Sequence, residues 1–189
     1  MGGITYSGFE LIDGSYWGSI SRVKYYGKLV DASLFLVSSK EGLHEVIPGT
    51  RDEVTHALLR HKLQIEGSPY ADGAYIYDVI RAKILWKNGR AVGYYSEFTH
   101  LEFPTLAEIY VAPEYRGHGY GIEMLKDFVN SHRGEPIAFY HIHKKCMRDL
   151  LTKVGLVKRS SEGYIMDSII QLLHWQRDPI PFWKSDKYD

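Results

Sequence analysis

The residues of this chain whose types and spacing best suit chemistry are Val111-Ala112-Pro113-Glu114-Tyr115-Arg116-Gly117-His118-Gly119-Tyr120-Gly121. Gly117, Gly119 and Gly121 remove the side chains that would keep a ligand off the main chain. Pro113 lacks a ladder donor and turns the chain away from the extended run before it. The stretch from Ile122 onward reads as a helix, so the amides of the turn and the helix N-terminus together make an anion site. Val111 to Asn130 therefore reads as strand, phosphate-cradling turn and helix. A plain helix entry is the other use such glycines have. Two further phosphate motifs do not fit. A P-loop requires Gly-Lys followed by Ser or Thr, which Tyr120-Gly121-Ile122 does not supply. A dinucleotide fingerprint requires a parallel βαβ context, whereas an antiparallel hairpin precedes this motif.

The elements that must position the turn are legible around it. Ile84-Leu85-Trp86 and Ala91-Val92-Gly93-Tyr94-Tyr95 flank Asn88-Gly89, a pair that permits positive φ at both centres of a type I′ hairpin. They belong to an antiparallel meander over residues 74–111, whose third strand, Ala107 to Ala112, ends at Pro113. Ile122 to His132 carries Leu125, Phe128 and Val129 on one face and predicts a helix. Pro136 to His143 reads as a strand, and Cys146 to Val154 as a helix closed by Gly155. Ile165 to His174 fits a strand or a helix, and the tail after Pro179 is irregular. Upstream, Thr50 and Glu53 have capping-box spacing, and Val54, Ala57, Leu58, Leu63 and Ile65 recur at helical spacing, so a helix is expected from Arg51 to about Ile65. Ala32 to Ser38 alternates weakly and reads as a strand, while residues 1 to about 30 show no sustained period.

Composition narrows the function classes. The chain has 189 residues, and its 23 Lys plus Arg equal its 23 Asp plus Glu, so the formal charge is zero. That balance argues against a nucleic-acid partner, which requires a basic surplus. The apolar share of 44% suits a globular core, and 15 Tyr, 4 Trp and 7 Phe make the chain unusually aromatic. Cys146 is the only cysteine, which excludes an intrachain disulfide and suits a reducing compartment. No apolar run approaches the roughly 18 residues of a membrane helix. Neither a basic-then-apolar leader nor a myristoylation pattern opens the chain, so an intracellular protein, nuclear or cytoplasmic, is expected.

The glycine-rich segment resembles motif A of the GNAT N-acetyltransferase superfamily. That pattern is Arg or Gln, two residues, Gly, one residue, then Gly or Ala, preceded by Val-x-Pro. Arg116, Gly119 and Gly121 match it, as do Val111 and Pro113, and the resemblance covers about residues 75–160. It implies an α/β (α+β) fold, with a mixed, mostly antiparallel twisted sheet splayed around acetyl-CoA and flanked by helices. The words Ala82-Lys83-Ile84-Leu85-Trp86-Lys87-Asn88-Gly89, Tyr115-Arg116-Gly117 and Glu123 to Asn130 look more narrowly like the soluble lamin-associated protein family, in a short form. Ser39 to Leu43 and His174-Trp175-Gln176-Arg177 look like it too. Longer members of that family have a C-terminal extension absent here, so lamina association does not carry over. On this reading residues 1–73 are an N-terminal part with one helix, 74–160 the acyl-CoA-binding core, and 161–189 a C-terminal strand or helix with its tail.

The resemblance also implies roles. Backbone of Ile109, Tyr110 and Val111 would contact pantetheine, and Arg116, Gly117, His118, Gly119, Tyr120, Gly121 and Ile122 would hold the pyrophosphate. A backbone amide near Val111 would polarise the thioester carbonyl, and an amine acceptor of a protein or small molecule would attack it directly. Glu108, on the strand entering the motif, is a candidate base, with a solvated strand carboxylate as its alternative. His141 and His143 share one face of the next strand and are further candidate bases near neutral pH. They show no third metal ligand, and an exposed or core-edge position suits either one. Many family members place an acidic Tyr where alignment on Gly155 here puts Leu151, which has no proton to donate. Cys146 lies near a helix start, where a thiol pKa is lowered, against a buried inert thiol. Tyr140 and Tyr164 lack positional support. The sequence thus supports either an acetyltransferase or a binding module of the same fold that has lost the chemistry.

Overall fold

The structure is a computed structural model. It describes residues 5–6, 8–12, 20–66, 81–98, 104–133, 137–139, 145–160, 163–166 and 170–172. The first four strands, β1 (Thr5–Tyr6), β2 (Phe9–Ile12), β3 (Arg22–Tyr25) and β4 (Lys28–Asp31), form an antiparallel sheet in chain order. None exceeds four residues, too short for a period of two to register in the sequence. Tyr26 (φ 44°) and Gly27 (φ 79°) close the β3–β4 hairpin, and a left-handed Tyr is not a turn signal the sequence advertises.

Ala32–Leu36 is a 3-10 turn, which corrects the strand expected there. The Asp31 side chain caps it, accepting from the Ser33 amide at 2.8 Å and the Ser33 hydroxyl at 2.6 Å. Ala32 and Phe35, three apart, are the buried residues, as the three-fold repeat of a 3-10 turn dictates. Leu34 is 52% exposed.

Strand β5 (Gly42–Glu45) leads to helix α1 (Arg51–Ile65), whose bounds match the sequence pattern. The cap differs from a capping box by one residue: Glu53 accepts from the Gly49 amide at 2.7 Å, and the Thr50 hydroxyl donates to the Ile47 carbonyl at 2.6 Å. Residues 54 to 59 are all buried, because α1 is covered on two sides. Val54, Ala57 and Leu58 pack with Phe9, Val23, Ala32 and Phe35 of the small sheet region. Leu59 packs with Ile84, Trp86, Tyr94 and Tyr110 of the large sheet.

The large sheet comprises β5, β6 (Arg81–Lys87), β7 (Arg90–Phe98), β8 (Thr105–Val111), β9 (Ile137–Phe139) and β12 (Ile170–Leu172), ordered β12-β9-β8-β7-β6-β5. Pairing is antiparallel from β5 to β8 and parallel at β8–β9 and β9–β12, so the sheet is mixed and mostly antiparallel, as expected. Asn88 (φ 50°) and Gly89 (φ 73°) make the β6–β7 turn as the sequence predicts. The segment that was ambiguous by period resolves into strands: β11 (Gly163–Met166) pairs with β10 (Val157–Ser160), and β12 joins the sheet edge. Helices α2 (Tyr120–Ser131) and α3 (Lys145–Lys153) cover the face opposite α1. Met124, Leu125, Phe128, Met147 and Leu151 bury there against Leu85, Val92, Tyr95, Leu106, Ile137 and Phe139.

Candidate functional site: the end of β8 and the turn into α2

Strand β8 delivers the chain to the glycine-rich turn, and its pairing changes along its length. With β9 it pairs only at Thr105 and Leu106 among the described residues. With β7 the register jumps between Ser96↔Glu108 and Glu97↔Leu106, leaving Ala107 as an extra residue in β8. A bulge of this kind bends a strand, and it lies where β8 stops pairing with β9. Past the bulge, Ala112 N–H donates to the Val92 carbonyl at 3.0 Å. Alternation in an antiparallel pair then turns the amides of Tyr110 and Glu108 to β7 and those of Ile109 and Val111 to the β9 side. Gly93, opposite Val111, permits the close approach here: a Cβ on it would overlap the Tyr110 carbonyl oxygen.

The turn itself is built by local bonds. Pro113–Tyr115 is a 3-10 turn, with Tyr115 N–H donating to Ala112 O at 2.8 Å and Arg116 N–H to Pro113 O at 3.2 Å. Gly117 (φ 84°) and Gly119 (φ 82°) are left-handed, and the space a Cβ would take at either holds no protein atom within 4 Å. Gly119 caps α2, whose first internal bond runs from Glu123 N–H to Gly119 O at 3.0 Å. The amides of Gly117, His118, Gly119, Tyr120, Gly121 and Ile122 have no backbone acceptor among the described residues. Six consecutive donors at the N-terminus of a 12-residue helix fit an anion, and the open space beside both left-handed glycines lets one approach the main chain. Gly121 differs: a Cβ there would make ordinary contact with Leu150 Cδ1 at 3.6 Å.

The side chains of the turn point elsewhere. His118 Nδ1–H donates to the Arg116 and Tyr115 carbonyls at 3.0 and 3.1 Å, and its ring stacks on Tyr120. Arg116 Nε donates to Val111 O at 2.9 Å, and its terminal nitrogen pairs with Glu66. Glu66 also accepts from the Tyr110 hydroxyl at 2.7 Å. Ile109 and Val111 pack on the α2 and α3 side, while Tyr110 faces α1.

Glu108 lies on the α1 face with its carboxylate partly buried, at 19% side-chain exposure. It accepts from Arg60 Nε at 3.2 Å, from the Tyr94 hydroxyl at 3.0 Å and from the Ser96 hydroxyl at 3.3 Å. This replaces the solvated alternative with a built cluster. Burial, then the Glu108 charge, pushes the Tyr94 hydroxyl well above its ordinary pKa, so it stays a donor. His56 stands edge-on to Tyr94 at 4.7 Å. Burial, then the Arg60 charge, lowers its pKa to about 3, so its imidazole is neutral. Sequence reasoning missed His56, Arg60, Tyr94 and Ser96; the His56–Arg60 spacing of one helical turn was the available signal.

His141, His143 and Tyr140 lie outside the described residues, and Tyr164 is placed only as backbone of β11. Cys146 is exposed, in the first turn of α3, rather than buried. Leu151 is fully buried in the core under α3. Among the described residues no group of three or more His, Cys, Asp or Glu is placed to hold a metal ion, and no helix is long and apolar enough to cross a membrane.

No protein-family profile matches the chain. Solved structures similar to it include the following two. One, described as an acetyltransferase from the GNAT family of Bacteroides thetaiotaomicron, is 14% identical with a TM-score of 0.40, over 67% of this chain and 79% of that one. The other is an aminoglycoside acetyltransferase, HMB0005, from an uncultured soil metagenomic sample, 15% identical with a TM-score of 0.40, over 67% of this chain and 97% of that one.

Proposed function

We propose that the chain binds acyl-CoA along the outward edge of β8 and the turn after it, and that it transfers the acetyl group of acetyl-CoA to an amine. The observation that carries this reading is the run of six amides, Gly117 to Ile122, without backbone acceptors among the described residues. Such a run of donors at a helix N-terminus suits the oxygens of a phosphate or diphosphate. The outward amides of Ile109 and Val111 supply donors for an amide-containing arm leading away from it. The match of Val111, Pro113, Arg116, Gly119 and Gly121 to motif A of the GNAT superfamily supports the same choice of ligand. The words shared with the soluble lamin-associated proteins support a eukaryotic member of that group, in nucleus or cytoplasm.

When bound, acetyl-CoA supplies an activated acyl group. Glu108 is the described side chain closest in role to a base, with His141 and His143 as the other candidates. One observation favours a second reading, a module that binds acyl-CoA without turnover. Leu151, aligned with the family's usual acidic Tyr, is fully buried and has no proton to give.

Calorimetric titration with acetyl-CoA tests the reading, with Gly119→Glu as the control. Absence of wild-type binding overturns both forms of it. Binding followed by thiol release with peptide or polyamine amines supports the enzyme. Binding with no release across a broad amine panel supports the module.

A further inference from the structure

Arg116 is the charged residue at the head of the turn, and the chain itself occupies it on three sides. Its Nε donates to Val111 O at 2.9 Å, its terminal nitrogen pairs with Glu66, and its guanidinium carbon lies 5.9 Å from the Tyr110 ring centroid. Its own amide is bonded to Pro113 O at 3.2 Å. Glu66 directly follows the last residue of α1 and is itself doubly engaged, by Arg116 on one oxygen and the Tyr110 hydroxyl on the other. Burial, then the bond to Glu66, raises the Tyr110 pKa, so that hydroxyl remains a donor. Three side chains thus join the end of α1, the end of β8 and the start of the anion turn.

We propose that Arg116 is a positioning residue: with Glu66 and Tyr110 it forms a strut that fixes the turn against α1, and the diphosphate is left to the amides of Gly117 to Ile122. This rests on the acyl-CoA reading above. A guanidinium suits the task because its fork serves Val111 O and Glu66 together, which a single ammonium does not. The pair is half-exposed, with side-chain exposures of 53% for Arg116 and 31% for Glu66, so it adds little to global stability. Its effect falls on the placement of the turn.

Calorimetric titration of CoA into wild type, Arg116→Lys, Arg116→Gln, Glu66→Gln and the Glu66→Gln/Arg116→Gln double variant tests the strut. The expected result is about a fivefold loss of affinity in Arg116→Gln and a similar loss in Arg116→Lys, because the lost fork matters and the retained charge does not. Glu66→Gln should weaken CoA more in the wild-type background than in the Arg116→Gln background; the latter measures the general effect of removing a negative charge near the site. Thermal midpoints should stay within about 2 °C. Wild-type affinity in Arg116→Lys, or a Glu66→Gln change that tightens binding only when Arg116 is present, overturns the strut and makes Arg116 a phosphate ligand restrained by Glu66. An affinity loss that merely follows a falling thermal midpoint overturns it as well. A wild type that binds no CoA overturns the acyl-CoA reading itself, and the strut's role with it.

Discussion

The stretch from the β8 bulge to the start of α2 has two halves, built in opposite ways. At the C-terminal end the site is main chain: amides with no backbone acceptor among the described residues, beside two left-handed glycines with open space where side chains would stand. Three residues before Val111, the site is side chain: Glu108, partly buried and already accepting from Arg60, Tyr94 and Ser96. The difference teaches which part is ready for a ligand. Backbone donors held in a fixed turn need no reorganisation to meet an anion. A carboxylate already accepting from Arg60, Tyr94 and Ser96 can take a proton from substrate only in competition with those donors. On the proposed function, binding would be preorganised, and proton transfer would compete with contacts the carboxylate already makes.

The largest expected effect comes from joining the two halves wrongly. Gly93→Val forces a side chain into the Tyr110 carbonyl, where backbone and not a movable side chain stands in the way. The β7–β8 pair must part at Val111, so stability should fall by about 3 kcal/mol or more in urea unfolding, with CoA binding lost. Full stability in Gly93→Val would mean the close approach is not required.

Gly119→Glu separates the halves. The left-handed φ of 82° strains any side chain, at about 1 kcal/mol, and the new carboxylate enters the anion cradle. CoA affinity should drop at least about a hundredfold, near 3 kcal/mol by the usual tenfold per 1.4 kcal/mol, while the fold survives. Unchanged affinity would move the phosphate site away from the turn.

Glu108→Gln addresses the other half. The amide oxygen can still accept from Tyr94 and Ser96, while the amide nitrogen takes the place of the oxygen that accepts from Arg60 and loses that bond. If Glu108 is the base, turnover should fall by about a hundredfold or more with CoA affinity within twofold of wild type. Undiminished turnover in this variant would transfer the role to His141 or His143.

The same contrast explains what the sequence reveals. The turn is legible because its geometry demands residue types: glycine at two left-handed positions, proline where the ladder ends. The β6–β7 hairpin is legible for the same reason at Asn88 and Gly89. The Glu108 cluster is not, because its members come from α1, β7 and β8, up to 48 positions apart, and none is unusual in its own segment. Leu34 misleads in the opposite sense: alternation suggested a strand, but the Asp31 cap starts a 3-10 turn and exposes it. The small N-terminal sheet is hidden by the shortness of its strands. Gly93 was visible as a residue and not as a constraint, since only the register places it against Tyr110 O.

A last effect, read through pH rather than at a single condition, concerns His56, which stands behind the Glu108 cluster and tests whether that half is closed to protons. Its folded pKa of about 3 lies below the ordinary 6.5, chiefly through burial. Between those values the unfolded chain binds the extra proton and the folded chain does not, so folding stability falls as pH drops from 6.5 toward 3 and is insensitive to His56 above 6.5. The slope from this group alone approaches about 1.4 kcal/mol per pH unit, and less if the interior relaxes. His56→Gln, of similar shape and unable to titrate, should be less stable at pH 7 through its added polar burden, yet flatter between pH 6 and pH 4 in unfolding free energy. Parallel profiles for wild type and His56→Gln would show that the imidazole reaches solvent, and with it that the Glu108 half is as open as the turn.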